Sequence, residues 1–187
     1  MKLNKRRKKL PTREIVLLLE VSGIYPNKGD KIVEIACVEL INHRPTGHIY
    51  HQYINPQKKQ SPEMIAVHGL TDNFLADKPT FKEIIADFLK FMGNDSTVVI
   101  QNARFAVEFL NAELAACGKS TLKNPIIDTL ALARQKFPGK ENHLTALCER
   151  FHIDVGDRAF HGVLLDTELL SEVYLKLLAP TKNRKNK

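Results

Sequence analysis

The stretch Ile15-Val-Leu-Leu-Leu-Glu-Val21, closed by Ser22-Gly23, most constrains what this chain folds into. A segment this rich in aliphatics, Glu14 to Val21, ending at a glycine turn, reads as a strand covered on both faces. Two further strand-like segments follow. Lys31 to Ile41 interleaves Ile, Val, Ala, Cys and Leu with Glu34 and Glu39, and His48 to Ile54 alternates likewise, with the turn-rich 42–47 between them. Together they predict a three-stranded meander, with Tyr25 to Asp30 as a loop.

The rest of the chain alternates helical and strand patterns. Thr80-Phe-Lys-Glu83 is a capping box ahead of Ile84, Ile85, Phe88, Leu89 and Met92 at helical spacing, and Gly93 ends that helix. Thr97 to Ile100 is a short buried strand, Arg104 to Cys117 a helix stopped by Gly118, and Pro125 to Ile127 a last brief strand. Asp128 caps a helix through Phe137, Asn142 caps one to His152, and Gly162 to Leu178 forms the final helix. Between the meander and the first helix, Pro56 and Pro62 bracket a polar loop. A meander followed by alternating units implies an α/β fold, a mixed sheet with helices on both faces.

With 187 residues, 43% of them apolar, the chain suits one compact domain. The net charge of +7 suggests a polyanion partner until its position is counted. Residues 1–13 carry seven Lys and Arg and residues 181–187 carry four, with no acid in either segment. The 14–180 domain therefore holds 17 of the 28 basic residues against all 21 acids, a net of −4. The basic character belongs to an arm and a tail that read as disordered, suited to solubility, to phosphate contact or, for Lys5 to Lys9, to a nuclear address. Cys37, Cys117 and Cys148 lie far apart, which indicates neither a disulfide framework nor a zinc site. The longest apolar run, Ile15 to Leu19, is too short for a membrane span, so cytoplasm is the expected compartment.

Six stretches carry a resemblance in the right order across about residues 13 to 178: the Ile15 to Gly23 run, Val67-His-Gly69, Ile100-Gln-Asn-Ala-Arg-Phe-Ala106, Asp128 to Arg134, Phe137-Pro-Gly139 and His161-Gly-Val-Leu-Leu-Asp166. The chain resembles the DnaQ-like 3′–5′ exonucleases of DEDDh type, the family of the proofreading epsilon subunit of bacterial DNA polymerase III. That resemblance implies a ribonuclease-H-like fold, a mixed five-stranded sheet flanked by helices. It implies removal of nucleotides from DNA 3′ ends with two Mg²⁺ or Mn²⁺ ions held by four carboxylates, and DNA polymerase subunits as partners. It also implies a tethering tail, for which the nine residues after Leu178 leave little room.

Hard divalent cations take oxygen ligands, and two of them side by side need clustered carboxylates to balance their charge. Here the family pattern is broken at two of four places. Leu18 stands where the family has the metal-bridging Asp, leaving Glu20 on that strand, and Ala106 stands where it has the second Asp, with Gln101 in place of His. The third motif is complete, matching His161 to the general base and Asp166 to the last metal ligand. Ser22, Gly23, His68, Asn102 and Phe105 match positions that line the terminal-nucleotide pocket. Arg104 offers a cation beside a site short of two negative charges. His43, His48, His51, His143 and His152 show no ligand pattern and read as structural. The expectation is a degenerate exonuclease in which Glu20 and Asp166 hold a metal weakly or not at all. Its alternative is a weak metal-dependent 3′–5′ exonuclease acting on single-stranded ends.

Overall fold

A computed structural model describes residues 11–155 and 162–180 of the chain. The first strand, β1 (Arg13–Val21), lies at the centre of a five-stranded sheet, as its aliphatic run requires. It pairs antiparallel with β2 (Ile32–Ile41), which pairs antiparallel with β3 (Pro45–Tyr53) at one edge. On its other side it pairs parallel with β4 (Thr97–Ile100), and β4 pairs parallel with β5 (Ile126–Asp128). The mixed sheet foreseen from the meander and the alternating units is thus present.

Helices cover both faces. Alternation along β1 sends Ile15, Leu17 and Val21 to one face, where they join Phe88 of α3 (Phe81–Met92) and Phe109 and Leu110 of α4 (Ala103–Ala116). Val16 and Leu18 point to the other face and meet Leu170 and Tyr174 of α7 (Val163–Leu178). A satellite core joins α5 (Thr129–Lys136) and α6 (Leu144–Phe151) to α7 through Ala133, Leu147, Leu169 and Val173. Ile15, Val16 and Leu17 are fully buried, which stabilises the centre of the sheet by roughly 1.5–3 kcal/mol per side chain.

Several details differ from the sequence reading, the first being that β3 opens at Pro45, inside the 42–47 expected as the turn. The supposed loop between Pro56 and the capping box contains two short helices, α1 (Pro62–His68) and α2 (Asp72–Leu75). Their signals are local: Ser61 caps α1 ahead of Pro62, Gly69 closes it at φ 76°, and Thr71 caps α2. The cap of α6 is His143, whose side chain accepts from the backbone N–H of Ala146, and Asn142 lies in the preceding loop. Arg13, the last basic residue of the N-terminal segment, opens β1. It pairs with Glu39 at 2.6 Å and donates to the carbonyls of Met92 and Phe91 at the end of α3. Among the described residues no helix is long and apolar enough to cross a membrane.

Candidate functional site

Because β1, β4 and β5 are parallel, the turns that leave them gather at one edge of the sheet. Ser22 and Gly23 follow β1, Gln101 and Asn102 follow β4, and Asp128 ends β5. Asp128 ties these turns together. Its carboxylate accepts from the backbone N–H groups of Asn102 and Ala103 at the start of α4 and of Leu130 and Ala131 at the start of α5. Two helix N-termini thereby share one negative charge.

Glu20 lies directly opposite Glu34 in the β1–β2 register, and both face α7. Glu34 is only 2% exposed and its Oε1 lies 2.7 Å from His51 Nε2 on β3. A Cβ on Gly162 would stand 3.8 Å from Glu34 Oε1, so the start of α7, whose first turn carries Asp166, lies over this pair. Burial, with Glu34 and Asp166 as further negative neighbours, pushes the Glu20 carboxyl up to about 7. Glu20 and Asp166 are thus brought together as the motifs imply, and Glu34 is a third carboxylate beside them.

Sequence reasoning took Glu34 as one polar step in an alternating strand, because only the pairing register places it opposite Glu20. The same register gives the structural His51 its partner, since it braces Glu34. His43 and His48 also have acid partners, with Nδ1 of each 2.8 Å from Glu14 and 3.3 Å from Glu39 respectively.

The two departures from the family pattern are apolar in the fold as well. Leu18, two residues before Glu20 on the same face of β1, packs into the cluster of Val16, Leu40, Val99, Leu170 and Tyr174. Ala106, 4% exposed, belongs to the opposite core cluster. Among the described residues no group of three or more His, Cys, Asp or Glu is arranged to hold a metal ion. The described residues therefore do not fit a two-ion centre, and the metal assignment for Glu20 and Asp166 has no two-ion frame around it. His161, matched to the base, lies outside the described residues.

The nucleotide-pocket residues divide. Ser22 is buried and its hydroxyl accepts from the Lys31 backbone N–H at 2.9 Å, which closes the loop after β1. Gly23 is required at its position: a Cβ there would sit 2.2 Å from the Asp30 carboxylate, which accepts from the Tyr25 N–H and from Lys58. Gly23→Ala is therefore expected to expel Asp30, open the 23–30 loop and cost ~1–3 kcal/mol of stability in urea denaturation. Adding Asp30→Ala to that variant should recover part of the loss. A Gly23→Ala protein as stable as its parent would contradict this account.

His68 is half-buried, and its Nδ1 accepts from the Leu70 N–H at 3.0 Å, which assigns the ring proton to Nε2. Burial lowers its pKa, against the opposing pull of the Val21 carbonyl and Glu34, so at neutral pH the ring is uncharged. Asn102 caps α4 in a left-handed conformation at φ 58° and is exposed at the cleft. Phe105 packs its ring 5.0 Å from Phe109, within the core cluster. Arg104 is not a lone cation: it pairs with Glu108 one turn on, and both side chains are largely exposed. Gln101, where the family has His, latches the structure. Its Oε1 accepts from Thr129 Oγ1 and its Nε2 donates to the Asn142 carbonyl at 2.9 Å.

The exonuclease family model matches residues 15–174, nearly the whole span from β1 to α7. The chain belongs to the exonuclease family. It is 46% identical over 169 residues to the DNA polymerase III subunit epsilon of Rickettsia prowazekii, covering 88% of this chain and 73% of that protein. It is 44% identical over 180 residues to the subunit of the same name in Haemophilus influenzae, covering 92% and 70%. Among solved structures, its fold is similar to the nuclease domain of 3'hExo, a DEDDh family member, bound to rAMP. There the TM-score is 0.76 at 17% identity, over 92% of this chain and 94% of that one. Exonuclease X in complex with 5′ overhanging duplex DNA gives a TM-score of 0.70 at 23% identity, over 88% and 90%.

Proposed function

We propose that this chain is an exonuclease-fold protein with little or no nuclease activity, which binds DNA 3′ ends or DNA polymerase subunits in replication or repair in the cytoplasm. The observation that carries this reading is Leu18. A side chain packed among Leu170, Tyr174 and Val99 occupies the place from which the family's bridging carboxylate reaches both ions. Methyl groups have no lone pair for Mg²⁺ or Mn²⁺, which take oxygen ligands. Glu20, its carboxyl pushed up to about 7 by burial and by Glu34 and Asp166, is left without the bridging carboxylate that would share an ion with it.

What remains is suited to holding an end. The turns after β1 and β4 still set Gly23 and Asn102 at one sheet edge, the buried Ser22 hydroxyl closes the first of these turns, and Asp128 still orders the starts of α4 and α5. Without bound metal, the matched base His161 has no activated water, and a positioned base alone contributes ~10²- to 10⁴-fold, far short of what phosphodiester cleavage requires. The kinship to DNA polymerase III epsilon subunits supports polymerase subunits as partners.

A second reading is favoured by the burial of Glu20 opposite Glu34 with Asp166 as a further negative neighbour, a repulsion on Glu20 that one Mg²⁺ or Mn²⁺ held weakly by Glu20 and Asp166 would relieve. It predicts a slow, metal-dependent 3′–5′ exonuclease. One gel separates the two readings. A 5′-labelled single strand incubated with the protein and Mg²⁺ or Mn²⁺ is expected to keep its length while still being retarded in a binding assay. Metal-dependent shortening from the 3′ end, abolished by His161→Ala, would overturn the inactive reading and leave the weak nuclease.

A further inference from the structure

The same sheet edge carries a second cleft, of about 470 Å³, beyond β4 and β5. Gln101, Asn102, Arg134, Lys140 and His143 are among its lining. Its floor is the loop between α5 and α6, and that loop is tied down from several sides. Asn142 Nδ2 donates to the carbonyls of Phe137 and Lys140 at 3.2 and 2.8 Å. Arg150 donates from Nη1 to Asn142 Oδ1 and from Nη2 to the Glu141 carbonyl, with its guanidinium carbon 4.7 Å from the Phe137 ring centre. Gln101 fastens the loop to the end of β4. A cleft built this way needs little ordering when a ligand arrives.

Its charge is unbalanced. Among the described residues neither Arg134 nor Lys140 has a carboxylate partner. The acid at the rim, Glu141, is exposed and lies 3.4 Å from His143 Nε2. The charge of Asp128 is taken up by four backbone N–H groups. The Asn102 side chain makes no hydrogen bond among the described residues, and its left-handed backbone sets it at this cleft. Glu20, Glu34 and Asp166 meanwhile repel phosphates at the neighbouring end of β1. A strand that reaches this edge is drawn away from those acids and toward Arg134 and Lys140, which no carboxylate among the described residues offsets.

We propose that this cleft is an anion subsite that holds a backbone phosphate of single-stranded DNA, with Arg134 as a forked donor, Lys140 as a point charge and the Asn102 amide as a neutral donor. This inference rests on the DNA-end reading above. It differs from the family's route, in which metal ions meet the phosphates, because here side chains do so alone.

The test uses the full chain, a 5′-fluorescein 12-nucleotide single strand, EDTA and anisotropy titrations across 50 to 200 mM salt. In the variant carrying Arg134→Gln and Lys140→Gln, both exposed and so expected to leave the melting temperature unchanged, affinity should fall several-fold. The slope of log K against log salt should shrink by about 1.4, two contacts' worth for a single strand. A variant with Lys119→Gln and Lys123→Gln, equal in charge but lining a different pocket, should bind nearly as the parent does. Equal losses in both variants, or none in either, would overturn the subsite while leaving the DNA-binding reading intact. A parent that fails to bind the strand at all would overturn both. Polyglutamate competing as well as DNA, with the same loss on substitution, would assign the cleft to acidic peptide and overturn the DNA proposal.

Discussion

Replacing Leu18 and Ala106 together by Asp is expected to create metal-dependent 3′–5′ cleavage at least ~10²-fold above the parent, the low end of what a positioned base contributes once it has a water to deprotonate. The substitution places one carboxylate on the site face of β1, two residues from Glu20, and a second on α4. It also adds negative charge next to Glu20, Glu34 and Asp166, and puts a carboxylate at position 106, which is nearly closed to solvent. In EDTA the variant should therefore be destabilised by several kcal/mol, the scale on which unpaired buried charges act. Mn²⁺ should restore much of that loss, because an ion bound only by the folded state stabilises it by mass action. Cleavage and metal-dependent melting should appear together. If neither appears in a folded protein, the departure from the family reaches beyond these two positions.

Glu20→Gln should reshape the dependence of stability on pH. Glu20 titrates near 7 in the folded chain against an ordinary value of 4.5, so between those limits the folded state holds a proton that the unfolded state has released. Stability then falls as pH rises through that window, because the native state binds more protons than the unfolded one. The difference of about 2.5 in pKa corresponds to roughly 3 kcal/mol. The amide keeps the shape and removes the titration. Urea unfolding in EDTA should give a stability gap between variant and parent near zero at pH 4, widening in the variant's favour to about that size by pH 8. Taking the difference cancels other titrations, including that of His68, whose lowered pKa acts in the opposite direction. A gap that stays flat across the range would mean that Glu20 does not carry this burden of burial and repulsion.

The elements that were legible in the sequence are those whose signal is complete within a few residues. The capping box at Thr80 and Glu83 forms as written, with Glu83 Oε2 accepting from the Thr80 N–H at 2.7 Å. Asp128 caps α5, and Gly93 follows the end of α3. The helices α1 and α2 escaped because each is too short to show an apolar period, and only end signals mark them, Ser61, Pro62 and Gly69 for α1 and Thr71 for α2. Asn142 resembles a cap in sequence, but its amide is drawn into the loop by Phe137, Lys140 and Arg150, and His143 takes the capping role. Arg104 differs from these: its partner Glu108 stands at i+4 on the same helix, a pair already visible in the sequence.

The candidate site divides along the same line. Motif order alone brought out Glu20, Asp166 and the losses at Leu18 and Ala106, because each is a residue type at a fixed place in a local pattern. Only the folded chain decided that Glu34 stands opposite Glu20 and that His51 braces it, since strand register relates residues distant in sequence. Only the folded chain, too, set Arg134 and Lys140 beside Asn102 over a tied-down loop. Side-chain type and short-range spacing determine which groups a chain can offer. Which of them share a dielectric, repel one another or are left without a counter-charge depends on distances that packing alone sets.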